Sequence, residues 1–133
     1  MILVDSSVWI NYFNGKKTSQ TDWLDSAFGN KPIIIGDLIL TEVLQGFQSE
    51  NDFRKAKKLL LEFPFMEMVG QNMAIESAAN YRFLRKKGVT VRKTIDVMIG
   101  TFCIYYHFSL LHDDRDFDPI EKYLKLKTIV NTL

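Results

Sequence analysis

The segment ILVDSS, residues 2–7, decides the predicted fold, because an apolar run ends abruptly on a carboxylate. Residues 2–4 are typical of a short strand that is buried on both faces of a sheet. Asp5 follows that strand directly and is itself followed by Ser6 and Ser7. Two interpretations are open at this point: Asp5 caps the next helix, or the end of the strand needs a negative charge.

Strand-like and helix-like segments alternate along the rest of the chain. Further strands are predicted at PIIIG (32–36), FMEMV (65–69), FSLLH (108–112) and LKTIV (126–130). Helices are predicted near 18–29, at 38–47 after a cap at Asp37, at 50–63 before Pro64, at 72–87 with a cap at Asn72, and at 95–106 after a cap at Thr94. This alternation predicts an α/β fold, a three-layer α/β/α sandwich with a central, mostly parallel sheet. Residues 1–133 are expected to form a single domain.

Carboxylates recur where a parallel sheet of this kind binds its ligand, beyond the carboxyl ends of the strands. Glu42 lies in the helix after the second strand, Asp96 begins the most apolar helix, and Asp113, Asp114 and Asp116 follow the fourth strand. The helix dipole explains why an acid stands at position 96, but it does not explain why acids recur at the ends of two strands and on two helices. Crowded carboxylates either share protons or bind a cation. Oxygen ligands without His or Cys clusters favour Mg²⁺ or Mn²⁺, which orient phosphodiesters and help to ionise water.

Four motifs in matching order and spacing make the chain recognisable. They are VDSSVWI (4–10), LILTEVLQGF (38–47), TIDVMIGTFC (94–103) and LLHDDRDF (110–117). Together they closely resemble the PIN-domain ribonucleases, and the nearest group is the VapC-type toxins of prokaryotic toxin–antitoxin pairs. The resemblance covers essentially the whole chain.

The resemblance implies a metal-dependent endoribonuclease that hydrolyses RNA phosphodiester bonds, the toxin of a type II toxin–antitoxin module. The acids that match the family's catalytic residues are Asp5, Glu42, Asp96 and Asp114. Of these, Asp5, Asp96 and Asp114 are the expected ligands of Mg²⁺ or Mn²⁺, and the number of ions is left open. Ser7 and Asp116 match supporting positions, whereas Asp113 is expected to lie outside the metal shell.

The same resemblance also predicts the partners of the protein. A small, VapB-like antitoxin is expected to lay its C-terminal segment across the active site, and a homodimer is expected. Trp9, Tyr12, Phe13 and Phe47 either line the antitoxin groove or belong to the core. A basic stretch before Asp96 would offset repulsion between RNA phosphates and the acids, although a solvated helix end explains it equally well. Its candidate RNA-binding residues are Arg85, Lys86, Lys87, Arg92 and Lys93.

The composition indicates the cellular compartment of the protein. The formal net charge of +1 says little about partners, and the single Cys103 excludes an internal disulfide and suits a reducing compartment. The chain starts as a strand without a basic leader, and its most apolar stretch is too short to span a bilayer. We therefore expect a cytoplasmic protein that does not enter a membrane.

Two other kinds of protein remain as alternatives. One is a catalytically silent PIN-fold module that serves only for partner contact. The other is a phosphoryl-transfer enzyme with a strand-end aspartate nucleophile. A haloacid-dehalogenase type would need an acid where Ser7 stands, and a receiver domain would need an aspartate at the end of the third strand, which FMEMVGQN (65–72) lacks. No glycine-rich phosphate loop indicates mononucleotide binding.

Overall fold

A four-stranded parallel sheet forms the centre of the computed structural model, which describes residues 1–129. The strands are β1 (Ile2–Val4), β2 (Ile33–Gly36), β3 (Phe65–Met66) and β4 (Ser109–Leu111), in the spatial order β3-β2-β1-β4. The helices are α1 (Ser6–Phe13), α2 (Ser19–Ala27), α3 (Asp37–Leu44), α4 (Glu50–Leu60), α5 (Gln71–Lys86), α6 (Thr94–Tyr106) and α7 (Asp118–Leu124), and a 3₁₀ turn covers Arg115–Phe117. The predicted α/β sandwich with a parallel sheet is confirmed.

The order of the strands places a crevice beside β1. The chain winds outward from β1 through β2 to β3, and then returns to the opposite side of β1 to form β4. The winding direction therefore reverses between β1 and β4, which is where open α/β sheets bind their ligands. Leu3 and Val4 on β1 pair with Leu110 and Leu111 on β4, and the N–H of Asp5 donates to Leu111 O at 2.8 Å. This pairing aligns the carboxyl ends of β1 and β4.

Buried side chains support this end of the sheet. Leu3, Val4, Ile34, Ile35 and Leu110 are all fully buried, as expected for strands covered on both faces. Helix α6, predicted to be apolar on nearly every side, packs centrally. Its buried residues are Asp96, Val97, Ile99, Gly100, Thr101, Phe102 and Cys103. Functional groups at the ends of β1, β4 and α6 are therefore supported by the core.

Three predicted helix caps are wrong. The caps of α3, α5 and α6 are Gly36, Gly70 and Lys93, and none of them makes a side-chain capping hydrogen bond. Asp37, Asn72 and Thr94 instead lie within the first turn of their helices. The Asp37 carboxylate is drawn to a tertiary partner, because Oδ1 accepts from the N–H of Met68 at 2.9 Å as well as from Leu38. Gly70 has φ 147°, a conformation that favours glycine and that ends the preceding loop.

Further boundaries also differ from the prediction, including the ends of α3 and β3, which lie at Leu44 and Met66 rather than at 47 and 69. Helix α4 ends at Leu60, earlier than the expected 50–63. The fifth strand, predicted at 126–130, is reduced to a single parallel bridge between Thr128 and Leu110, and Val130 lies outside the described residues. Within the described part of the chain, no helix is both long enough and apolar enough to cross a bilayer.

The aromatic residues after β1 form a packed cluster. Trp9 is fully buried and its ring lies within 6.2 Å, centroid to centroid, of the rings of Tyr12, Phe13, Phe28 and Phe63. Of the two interpretations left open by the sequence, the core interpretation holds for Trp9. Tyr12, Phe13 and Phe47 are only half-buried and remain within reach of a partner.

Candidate active site

Asp5 ends the central strand β1 and caps helix α1 at the same time. Its Oδ2 accepts hydrogen bonds from the Ser7 hydroxyl at 2.6 Å and from the Ser7 N–H at 3.1 Å. The residue is only 3% exposed. Burial raises the pKa of Asp5, while the hydrogen bonds from Ser7 and the electrostatic effect of the nearby His112 lower it in part. The cap and the strand-end charge therefore coexist in one carboxylate.

Ser7 joins the ends of the two neighbouring strands. Its hydroxyl donates to Asp5 and also accepts from the N–H of Asp113 at 3.0 Å. The Asp113 carboxylate itself is exposed, and its Oδ2 lies 3.4 Å from Nδ2 of Asn11. Ser7 thus fixes the position of Asp5 relative to the loop after β4.

Glu42 reaches the same region from helix α3. The buried hydroxyl of Ser6 donates to Glu42 Oε1 at 3.1 Å, which connects α1 to α3. Burial raises the pKa of Glu42, and the negative charges of Asp5 and Asp114 raise it further, against the lowering effects of Ser6 and Lys93. Glu42 therefore lies in the electrostatic field of two of the other predicted acids.

Asp96 is the most constrained of the acids. It sits in the first turn of α6 and is 5% exposed. Its Oδ2 is buried and meets the Lys93 ammonium at 3.5 Å, an ion pair without a well-formed hydrogen bond in residues 1–129. Burial raises the pKa of Asp96 to about 6; Lys93 opposes the rise, and Asp114 and Asp5 add to it. A buried carboxylate oxygen that is offset by a cation rather than by a backbone hydrogen bond suits a metal ligand.

Asp114 and Asp116 come from the loop after β4. Asp114 Oδ1 accepts from the N–H of Asp116 at 2.9 Å and so caps the 3₁₀ turn. Although burial raises the pKa of Asp114, the Asp116 N–H and Lys93 outweigh it, so the pKa lies below its ordinary value. Ligand oxygens of Asp96, Asp114 and Asp116 all lie within 4.8 Å of one another. This group is called the acid cluster below.

The structure brings all four predicted catalytic acids into one electrostatically coupled site. Asp5 and Asp114 each raise the pKa of both Glu42 and Asp96. Asp116, expected only as a supporting residue, belongs to the tight acid cluster, whereas Asp5 does not. The structure thus gives Asp116 a more central position than the sequence predicted.

Lys93 is placed differently from its prediction. Its Nζ lies 3.2 Å from Asp114 Oδ2, 3.5 Å from Asp96 Oδ2 and 3.9 Å from Asp116 Oδ2. Burial lowers the pKa of Lys93, but the hydrogen bond to Asp114 and the charges of Asp96 and Asp114 raise it above its ordinary value. Lys93 is therefore paired with the acid cluster while half of its side chain stays exposed, and its predicted role toward RNA stays a prediction.

The other candidate RNA-binding residues are exposed. Arg92 Nη1 lies 3.8 Å from Asp116 Oδ1, with 77% of its side chain exposed. Arg85 and Lys86 end α5, and Lys87 follows as its C-terminal cap. The Arg85 guanidinium lies 5.5 Å from the Tyr81 ring centroid, and Lys87 Nζ lies 5.4 Å from that of Phe83. Their role toward RNA stays a prediction.

Ser6 and His112 are neighbours of the site to which the sequence assigned no catalytic role. Ser6 holds Glu42, and the Nδ1 of His112 accepts from the N–H of Asp114 at 3.2 Å. The contact between Lys93 and Asp96 could have been predicted from the sequence. Lys93 stands three residues before Asp96 at the start of a helix, and an i,i+3 pair brings opposite charges together. The bond between Ser6 and Glu42 spans 36 residues and leaves no pattern in the sequence.

A second set of candidate metal ligands comes from the end of β4 and from α7. His112, Asp118 and Glu121 also offer ligand atoms within 4.8 Å of one another, but both acids are exposed. Neither of these two acids is buried, whereas the acid cluster includes the buried Oδ2 of Asp96. The chemistry of the buried cluster is therefore the better match to a divalent cation.

The PIN domain family model matches residues 2–123 of the chain. The chain belongs to the PIN domain family. It is similar to Ribonuclease VapC11 of Mycobacterium tuberculosis, with 26% identity over 129 residues that cover 96% of each protein.

Solved structures agree on the fold. One is VapBC2 from Rickettsia felis bound to a DNA fragment from its promoter, with a TM-score of 0.76, 15% identity, and coverage of 97% of this chain and 98% of that one. Another is a toxin–antitoxin complex from Klebsiella pneumoniae, with a TM-score of 0.73, 17% identity, and coverage of 98% of both chains. At these identities, the likeness shows the shared fold.

Proposed function

We propose that this protein is a metal-dependent endoribonuclease and the toxin of a type II toxin–antitoxin pair. The observation that carries the proposal is the coupled set Asp5, Glu42, Asp96 and Asp114 at the reversal point of the sheet. So many carboxylates in one partly buried site repel one another unless a cation offsets their charge. The name of the relative VapC11, a ribonuclease, supports RNA as the substrate.

Asp5, Asp96 and Asp114 would hold Mg²⁺ or Mn²⁺, and the buried Oδ2 of Asp96 fits this role. When bound, the ion orients the phosphodiester, promotes the ionisation of water and stabilises the charge of the leaving oxygen. Glu42 would accept a proton from water; burial and the negative charges of Asp5 and Asp114 raise its pKa. Ser7 keeps Asp5 in position, and Asp116 supports Asp114 through its N–H.

RNA would approach over the basic residues beside the acid cluster. Arg92, next to Asp116, and Arg85, Lys86 and Lys87 at the end of α5 are exposed and free to meet phosphates. Their positive charges would offset the repulsion between the phosphates and the acids. Selection among RNA targets would then depend on the shape of an unpaired loop rather than on these charges.

A small, VapB-like antitoxin is the proposed protein partner, and the likeness in fold to VapBC2 from Rickettsia felis supports this proposal. A groove of about 470 Å³ beside the half-buried Phe13 and Phe47 offers apolar side chains for such a segment. A homodimer, a single domain over residues 1–133 and action in the cytoplasm belong to the same proposal. The family match over 2–123 supports the single domain, and the one buried thiol of Cys103 suits a reducing compartment.

Purified wild type and Asp96→Asn, each incubated with RNA in Mg²⁺ or in excess EDTA, test the proposal. We expect cleavage only by the wild type with metal, and an intact fold of the variant by circular dichroism. Full activity in EDTA would refute the metal mechanism. No cleavage under any condition, together with antitoxin binding, would instead favour the silent binding module. Mapping the 5′ ends of cellular RNA after brief expression of both proteins would identify the target.

A further inference from the structure

Lys93 occupies the point on which the acid cluster converges. It caps α6 in an extended conformation, and its side chain turns back over the first turn of that helix. Each of its three carboxylate partners, Asp96, Asp114 and Asp116, is contacted through Oδ2. These are the same three residues whose oxygens are close enough to share one metal ion. The ammonium group therefore stands where a shared cation would stand.

We propose that Lys93 is a built-in counter-cation that neutralises the acid cluster in the metal-free protein and leaves it when a divalent ion binds. The inference rests on the proposed function, because it assumes that the cluster takes up metal. An ammonium group and a divalent ion cannot contact the same oxygens together, since their positive charges repel and the oxygens have limited room.

The side chain is free to make this move. Lys93 is at the surface, with 49% of its side chain exposed, and four methylene groups separate the ammonium from the backbone. Rotation of the side chain into solvent therefore needs no change in α6 or in the buried part of Asp96. Once released, the ammonium remains next in the chain to the exposed Arg92 and would add to the positive charge available to substrate phosphates.

The first arm of the test measures Mn²⁺ affinity of metal-free protein by titration calorimetry or by loss of the free-ion EPR signal. We expect Lys93→Met to bind Mn²⁺ about tenfold more tightly than wild type, because no ammonium has to be displaced. Arg92→Met, which removes a charge beside Asp116 without touching Asp96 or Asp114, should gain less than about threefold. The distant, exposed Lys57→Met on α4 should stay within about twofold.

The second arm follows Lys93 itself in the wild type, so it does not depend on the folding of a variant. Reductive methylation with mass spectrometry should label Lys93 faster in saturating Mg²⁺ than in EDTA, with Lys57 as an internal reference. Equal Mn²⁺ affinity of wild type and Lys93→Met, or unchanged labelling of Lys93 on metal binding, overturns the inference and leaves the proposed function standing. Absence of Mn²⁺ binding by the wild type and all three variants overturns the proposed function itself.

Discussion

The hydroxyl of Ser7 lies 2.6 Å from Oδ2 of Asp5, so the carboxylate at the end of β1 is held by its second neighbour along the chain. The same hydroxyl accepts from Asp113 N, which ties the end of β1 to the loop after β4. One side chain therefore positions two parts of the site. It also favours the ionised form of Asp5, the form that a metal requires.

Ser7→Ala should reduce both metal affinity and RNA cleavage by roughly 10–100-fold, the usual effect of losing a group that orients a metal ligand. The protein should stay folded, because only a small side chain is removed. Ser7→Thr keeps the hydroxyl and should recover much of the loss. Wild-type Mn²⁺ affinity and cleavage in Ser7→Ala would show that the contact does not matter for function.

The pKa of Asp96 predicts how the metal-free protein responds to pH. Burial raises this pKa from 3.8 to about 6, so between these values the folded state binds more protons than the unfolded state. The contribution of Asp96 to the free energy of unfolding is fully present below about pH 3.8 and is lost as the pH rises through about 6. The pKa values of Asp5 and Glu42 are raised as well, and these acids therefore also contribute to the pH dependence of stability. A comparison of wild type with Asp96→Asn measures the part of this pH dependence that is due to Asp96.

In EDTA, Asp96→Asn should lose less stability than wild type between about pH 4 and 6. At pH 7, its melting temperature should equal that of wild type or exceed it by about 2–5 °C. Thermal melts followed by circular dichroism across this range measure both effects. A large fall in the melting temperature of Asp96→Asn would mean that Asp96 serves the fold rather than a metal.

A side chain at position 36, the cap of the helix that carries Glu42, should clash with its surroundings. A Cβ at this position would lie 2.1 Å from Sδ and 2.6 Å from Cγ of the buried Met68. Gly36→Ala should therefore destabilise the protein by about 1–3 kcal/mol, measured by urea unfolding. Gly46→Ala is the matched control, because its Cβ would meet only Val43 O at an ordinary 3.7 Å. Equal stability of the two variants would contradict the packing argument.

The basic residues at the end of α5 predict a dependence of RNA binding on salt. Changing Arg85, Lys86 and Lys87 together to Gln should weaken RNA binding and flatten the fall of affinity with salt, because fewer counterions are released. Changing Arg54, Lys57 and Lys58 on α4 to Gln removes the same number of charges from another exposed surface and is the control. Identical salt dependence in the two triple variants would favour the interpretation of a solvated helix end.

Much of the fold follows from local patterns. The runs ILV, III and SLL are apolar enough to be buried on both faces, and parallel pairing then brings Asp5 and Asp114 to one edge. What the sequence could not predict depends on contacts between distant residues. The Asp37 carboxylate binds Met68 N, 31 residues away, and so does not act as the helix cap that its position suggests. The fifth strand is limited to the pairing of Thr128 with Leu110.

Lys93 illustrates the same limit within the site. Its position in a basic stretch predicts a surface that faces RNA, because sequence neighbours suggest a shared role. The structure directs it instead toward Asp114, 21 residues further on, since the loop after β4 folds back over the start of α6. The types of residue at the site were predictable, but the direction of this side chain was not.

The most direct measurement of the central claim is anomalous diffraction from crystals grown with Mn²⁺. We predict a peak roughly 2.0–2.2 Å from carboxylate oxygens of Asp96 and Asp114, within reach of Asp5 directly or through water, with Lys93 Nζ moved away. No peak among these acids, or one only at His112, Asp118 and Glu121, would contradict the account.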